Sequence, residues 1–108
     1  LTPCWPGKML GLWNNVRSAA EKKDLGIPEE PLYFLKASNC YLAHQGEIQR
    51  PEYYDGRIIY EGELGLVIGK TCRNVSVDEA TDYIFGATCV NDVTALTLID
   101  KDPTFPQW

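Results

Sequence analysis

The sequence has little of what membrane-spanning, secreted or zinc-binding proteins need. No apolar run approaches the ~20 residues that cross a bilayer, and no basic-then-apolar leader opens the chain. His44 is the one histidine, and no two cysteines have C-x2-C spacing, which argues against a zinc site. The four cysteines are widely spaced, unlike a disulfide framework. We therefore expect reduced thiols, no membrane insertion and a cytoplasmic protein.

Positive charge is also scarce. Ten Lys and Arg residues stand against 15 Asp and Glu residues, and the whole excess of −5 falls in residues 61–108. Nucleic-acid binding needs clustered cations, so no nucleic-acid partner is expected. A carboxylate-rich half instead suits a hard divalent cation.

What is present is typical of a globular domain. Hydrophobic residues make up 44% of the 108 residues and charged residues 23%. Neither repeats nor low-complexity stretches interrupt the chain, so residues 1–108 are expected to form a single unit.

Periodicity and turn residues predict short elements in the first half. After an apolar stretch, Met9–Trp13, Asn14 or Asn15 is expected to cap a helix over Val16–Lys23, closed by Leu25 and Gly26. A strand is expected over Leu32–Lys36.

The second half is predicted to be richer in strands. The segment Arg57–Gly69 is expected to be a long strand. Ser76 and Glu79 match a capping box, which predicts a helix over Val77–Phe85. A second strand is expected over Ala87–Val93, followed by a polar turn that contains Asp100, Asp102 and Pro103.

Glu61 and Glu63 form a Glu-x-Glu pair within the long predicted strand. Side chains alternate along a strand, so both carboxylates point to the same face. Like charges repel unless a cation lies between them, and such a pair can hold Mg2+ or Ca2+. A half-solvated strand whose glutamates face water is the alternative. Asp92 stands at the end of the second predicted strand, where it either projects into a site or serves as a turn residue.

Four stretches in this order and spacing resemble the fumarylacetoacetate hydrolase superfamily: Pro28–Lys36, Tyr60–Lys70, Arg73–Tyr83 and Val90–Ala95. The resemblance implies a β-rich α+β fold, a mixed-sheet β-roll or sandwich with short flanking helices. Residues 1–108 would then be the N-terminal portion of the catalytic domain.

The resemblance also implies a metal-dependent enzyme. Glu61, Glu63 and Asp92 match the family's carboxylate ligands of Mg2+ or Mn2+, with Ca2+ as a substitute. Family members act on 2-oxo and 1,3-dicarbonyl acids through a metal-stabilised enolate. From the breadth of the family we expect C–C hydrolysis or isomerisation of the 2-hydroxyhepta-2,4-diene-1,7-dioate type, with decarboxylation as the alternative.

Three further residues are candidate catalytic groups by the same resemblance. Glu21 matches a glutamate on the family's lid helix. Arg17 and Ser18 occupy the region where hydrolytic members carry a histidine. Arginine cannot deprotonate water at neutral pH, although it can bind a substrate carboxylate, so isomerisation or decarboxylation gains weight. Lys36 ends a matched stretch and is the third candidate, although a lysine there is more often an edge residue.

The implied partners are a small oxo-acid substrate, a second copy in a homodimer, and the C-terminal half of the catalytic domain. A hypothesis of a different class is a non-catalytic fragment that acts as a dimerising or interaction module. Size-exclusion chromatography with light scattering tests this second hypothesis, because a stable folded monomer contradicts it.

Overall fold

The structure is a computed structural model that describes residues 3–101. These residues form two compact units, with the boundary between Arg50 and Pro51. Each unit contains one two-stranded antiparallel sheet and short helices, which confirms the predicted β-rich α+β class. None of the described helices is long and apolar enough to cross a bilayer.

The first unit is built on strands β1 (Met9–Trp13) and β2 (Leu32–Lys36). They pair antiparallel, with Met9 opposite Lys36 and Gly11 opposite Phe34. The Phe34 ring occupies the space that a Cβ at Gly11 would need, so the pairing requires glycine there. The strand predicted over Leu32–Lys36 is confirmed, and the apolar stretch before it is its partner.

Helix α1 (Arg17–Lys22) lies between the two strands and is shorter than predicted. Its N-cap is Val16, which makes no side-chain capping bond, so the prediction of a cap at Asn14 or Asn15 was wrong. Asn14 instead adopts a left-handed backbone, with a φ of 55°, and its amide reaches past the helix to Gly26.

The C-terminal end of α1 forms a Schellman motif. The Leu25 N–H donates to the Ala20 carbonyl at 2.9 Å, and the Asp24 N–H donates to the Glu21 carbonyl at 3.2 Å. Asp24 takes the left-handed position, with a φ of 54°, so the expected closure by Leu25 and Gly26 occurs one residue earlier. Ala20 is 1% exposed and is the buried contact of the helix.

The second unit is a long ribbon of β3 (Ile58–Ile68) and β4 (Ile84–Ala95). The strands pair antiparallel from Ile58 opposite Ala95 to Ile68 opposite Ile84, with an irregularity between Val67 and Ile68. The strand predicted over Arg57–Gly69 is confirmed to within one residue at each end. The second strand begins at Ile84, earlier than the predicted start at Ala87.

The prediction of a helix over Val77–Phe85 was wrong. A 3₁₀ turn, Ala80–Tyr83, is found in its place. The Ser76 hydroxyl donates to the Glu79 carboxylate at 2.7 Å, so the two capping-box side chains bind each other, and the Glu79 N–H donates to the Ser76 carbonyl at 3.2 Å instead of to the hydroxyl. Pairing with β3 then draws the β-forming residues after Tyr83 into the sheet.

Helix α2 (Leu96–Lys101) follows β4 directly, where the sequence predicted a polar turn. Asp100 lies in this helix, and Asp102 and Pro103 lie outside the described residues. Tyr54 anchors the helix, because its buried hydroxyl donates to the Arg57 carbonyl at 2.9 Å and accepts from the Thr97 N–H at 3.2 Å.

Candidate functional site

The strand register places the predicted carboxylates on one face of the β3–β4 ribbon. Glu61 lies directly opposite Asp92, and residues paired in this way share a face. Glu63 is two residues further along β3, on the same face, opposite Val90. Two neighbouring strands therefore supply three carboxylates to one surface, which we call the carboxylate face.

Asp92 lies within β4 rather than at a strand end or in a turn. The turn interpretation of Asp92 is therefore wrong, and the strand ends at Ala95 rather than next to Asp92. The residue is 9% exposed and is the one buried charged residue among residues 3–101. A buried carboxylate is costly unless it is hydrogen-bonded or paired with a cation, which makes Asp92 a candidate site residue.

Glu61 is held by two residues of β4 that the sequence analysis did not single out. The Thr94 hydroxyl donates a short hydrogen bond to the Glu61 carboxylate. The Asn91 side-chain oxygen accepts from the Glu61 backbone N–H at 3.2 Å. Alternation along β4 gives the signal for Thr94, because it stands two residues after Asp92 and so shares its face.

The donor set suits a hard divalent cation, since carboxylate oxygens are the ligands that Mg2+ and Mn2+ prefer. Within residues 3–101, however, no three His, Cys, Asp or Glu side chains converge closely enough to hold a metal ion. Glu61 is half-buried and Glu63 is exposed. The two strands thus place three carboxylates on one face, and an ion could bind them only if the side chains moved closer together.

Gly65 marks a close approach next to these carboxylates. A Cβ at Gly65 would lie 2.7 Å from the Val90 Cγ2 atom and 3.2 Å from the Thr88 Cγ2 atom. Gly62, on the opposite face, has no atom within 4 Å of the equivalent position. The packing of the carboxylate face therefore depends on glycine at residue 65.

The other three candidates lie in the first unit. Arg17 and Glu21 are exposed and stand one turn apart on α1. Lys36 is the last residue of β2, and its Nζ lies 5.2 Å from the centroid of the Phe34 ring.

Arg17 lines an open pocket of about 340 Å3, and neither Glu21 nor Lys36 does. The pocket is polar along Asn14, Asn15, Arg17 and Glu29, and its other lining residues are mostly apolar. All four cysteines of the chain, Cys4, Cys40, Cys72 and Cys89, are free and exposed.

Sequence comparison identifies the family. A profile of the fumarylacetoacetate hydrolase C-terminal domain matches residues 8–108. The chain therefore belongs to the fumarylacetoacetate hydrolase family, which confirms the resemblance. Enzymes of this family generally depend on a divalent metal ion.

Three relatives illustrate the range of the family. An uncharacterized protein of Archaeoglobus fulgidus is 43% identical over 94% of this chain and 40% of its own length. An oxaloacetate tautomerase of Bacillus subtilis is 38% identical over 73% of this chain and 26% of its own length. A 4-hydroxyphenylacetate degradation bifunctional isomerase/decarboxylase of Salmonella dublin is 39% identical over 82% of this chain and 21% of its own length. The chain thus spans well under half of the length of each of these relatives.

Proposed function

We propose that this chain carries the metal-binding carboxylates of an enzyme that isomerises 2-oxo or 1,3-dicarbonyl acids through an enolate. In keto–enol isomerisation a C–H proton leaves the carbon next to the oxo group and the oxygen gains one. The named activities of the relatives, a tautomerase and an isomerase/decarboxylase, support this choice. Decarboxylation and C–C hydrolysis are the alternatives, since both also pass through an enolate.

In this proposal Glu61, Glu63 and Asp92 hold a Mg2+ or Mn2+ ion, with Ca2+ as a substitute. When bound, a divalent cation supplies Lewis-acid stabilisation of the negative charge that develops on an enolate oxygen. Thr94 orients Glu61 by its hydrogen bond, as outer-shell partners of metal ligands generally do.

By the family resemblance, Arg17, Glu21 and Lys36 are the candidates for the organic groups of the proposed mechanism. Arg17 binds a substrate carboxylate, which its planar guanidinium suits, and Glu21 accepts or returns the mobile proton. Lys36 adds a positive charge for an anionic substrate. Hydrolysis is placed second because Arg17 and Ser18 stand where hydrolytic members carry a water-activating histidine.

The observation that carries the proposal is the pairing of Glu61 with the buried Asp92 across the two strands. The test is turnover of oxaloacetate with Mg2+ or Mn2+ by the natural polypeptide that carries this chain. Glu61→Gln is expected to lower kcat/KM about a hundredfold or more. The variant removes one negative charge from the proposed ligands, and the metal ion they hold would contribute several kcal/mol to stabilising the enolate. Enol absorbance and pyruvate release separate isomerisation from decarboxylation.

A matched control is Glu52→Gln, which removes the same charge from an exposed residue of the loop before β3. It is expected to leave turnover unchanged. Calorimetric titration with Mg2+ and Mn2+ gives a second readout, in which Glu63→Gln should weaken binding. Turnover and metal binding that survive both Glu61→Gln and Glu63→Gln would contradict the site.

A second candidate function is a dimerising module, and the exposed apolar surface of the ribbon favours it. Tyr60 is 83% exposed and Leu64 is 74% exposed, on the face opposite the carboxylates. Light scattering of the purified natural polypeptide tests this function, and a stable monomer would contradict it. A homodimeric, cytoplasmic enzyme is the form in which we propose the first function, whereas the second candidate is a non-catalytic dimer.

A further inference from the structure

One side chain closes the loop that carries α1. The Asn14 Nδ2 donates a hydrogen bond of 2.9 Å to the Gly26 carbonyl, 12 positions along the chain. Asn14 precedes the helix and Gly26 follows it, so the bond ties the chain that enters α1 to the chain that leaves it. We call this bond the Asn14 clasp.

The loop depends on such ties because α1 is weak by itself. A helix of six residues has almost no stability alone, and its N-cap Val16 offers no side-chain acceptor. Its other fixed points are the buried Ala20 and the Schellman bonds at its end. Asn14 reaches Gly26 from a left-handed backbone, a conformation that asparagine tolerates better than most residues.

Arg17 is the first residue of α1 and stands three residues after the clasp. Arg17 and Asn14 both line the pocket of about 340 Å3 described above. Arg17 is exposed and its side chain is long, so its location at this pocket depends on where the first turn of α1 is held. The Asn14 clasp ties the chain that enters this turn to Gly26, and within the turn the Ala19 and Ala20 N–H groups each donate to the Val16 carbonyl at 3.0 Å.

We propose that Asn14 is a positioning residue, whose clasp holds Arg17 at this pocket ready to bind the carboxylate of an organic acid. The proposal rests on the proposed function, in which Arg17 binds a substrate carboxylate. Asn14 acts through Arg17, so its loss should weaken substrate binding more than the chemical step.

Two variants of the natural polypeptide remove the clasp in different ways. Asn14→Asp keeps the shape and tolerates the left-handed backbone, but it replaces the donor with an oxygen that faces the Gly26 carbonyl. Asn14→Gly removes the side chain and frees the backbone. The matched control is Asn74→Asp, because Asn74 is exposed and has a similar φ of 53° in the other unit.

Limited trypsin cleavage reports the clasp without any activity, since Arg17, Lys22 and Lys23 are cleavage sites within the loop. Both Asn14 variants should be cut there about tenfold faster, and Asn74→Asp should not, because cleavage follows the open population. In oxaloacetate turnover with Mg2+, the Asn14 variants should raise KM about fivefold while kcat stays within about twofold.

Wild-type cleavage and wild-type KM in both Asn14 variants would overturn the proposal. A fall in kcat with unchanged KM would overturn it too, because the clasp would then act on chemistry rather than on binding. Glu61→Gln separates the two proposals, since it should lose turnover and keep the wild-type cleavage pattern. If the wild type turns over no oxo acid, the proposed function fails, and cleavage alone then decides whether the clasp exists.

Discussion

The two faces of the β3–β4 ribbon differ in a way that reverses the usual arrangement of a sheet. The carboxylate face is half-buried along most of its length and includes the buried Asp92. The opposite face, which we call the apolar face, exposes large hydrophobic side chains. These are Tyr60 at 83%, Leu64 at 74%, and Leu66 and Ile68 at more than half.

Each face carries one feature that an ordinary surface ribbon lacks. A buried carboxylate needs a compensating partner, and a contiguous exposed apolar patch is typical of an interaction surface. On the carboxylate face, Thr94 binds Glu61 and Gly65 allows a close approach. Under the proposed function, the carboxylate face would hold the metal ion and the apolar face would be the surface available for association.

The largest effect on stability is expected from a methyl group added to the carboxylate face. Gly65→Ala places a Cβ against the Val90 side chain, which is β-branched and resists rotation. We expect Gly65→Ala to lower the free energy of unfolding by about 1–3 kcal/mol, measured by urea denaturation.

Gly62→Ala is the matched control on the apolar face. It adds the same methyl group where no atom lies within 4 Å, and alanine restricts the unfolded chain more than glycine does. Its stability should therefore stay the same or rise slightly. Equal losses of unfolding free energy in Gly65→Ala and Gly62→Ala would show that both faces of the ribbon are equally packed. The contrast between the two faces would then be wrong.

A smaller effect is expected at Thr94. Thr94→Val keeps the β-branched shape but removes the hydroxyl that donates to Glu61. We expect a loss of about 1 kcal/mol in folding free energy, and a fall in Mg2+ affinity of about tenfold if Glu61 is a ligand. Thr88→Val is the control, because Thr88 is a half-buried threonine on the same face of β4. An unchanged Mg2+ affinity in Thr94→Val would remove Thr94 from the site.

Local sequence signals predicted the strands well, because alternation and turn residues act over short distances. The segment Arg57–Gly69 and the shared face of Glu61 and Glu63 both follow from a period of two. The register that sets Glu61 against Asp92 follows from pairing between residues 31 positions apart, which no local pattern encodes. For this reason the sequence left Asp92 as either a strand-end or a turn residue.

The two errors in helix capping have a common physical cause, because in each a local capping signal is lost to another contact. Ser76 and Glu79 bind each other, and the residues after Tyr83 join β3 instead of extending a helix. Asn14 binds Gly26 rather than capping α1. In both cases the side chains expected to cap a helix make a different hydrogen bond.

The smallest effect on stability is expected from a substitution on the apolar face. This substitution tests whether a second copy covers that face in solution. Leu64→Ser removes a side chain that is already 74% exposed, so the free energy of unfolding should change by about 0.5 kcal/mol or less. Val67→Ser, on the half-buried carboxylate face, is the comparison and should cost more. A larger loss from Leu64→Ser, with a lower mass in light scattering, would mean that a second copy covers Leu64 in solution. The apolar face would then be an interface, and the contrast between the two faces would reflect assembly as well as chemistry.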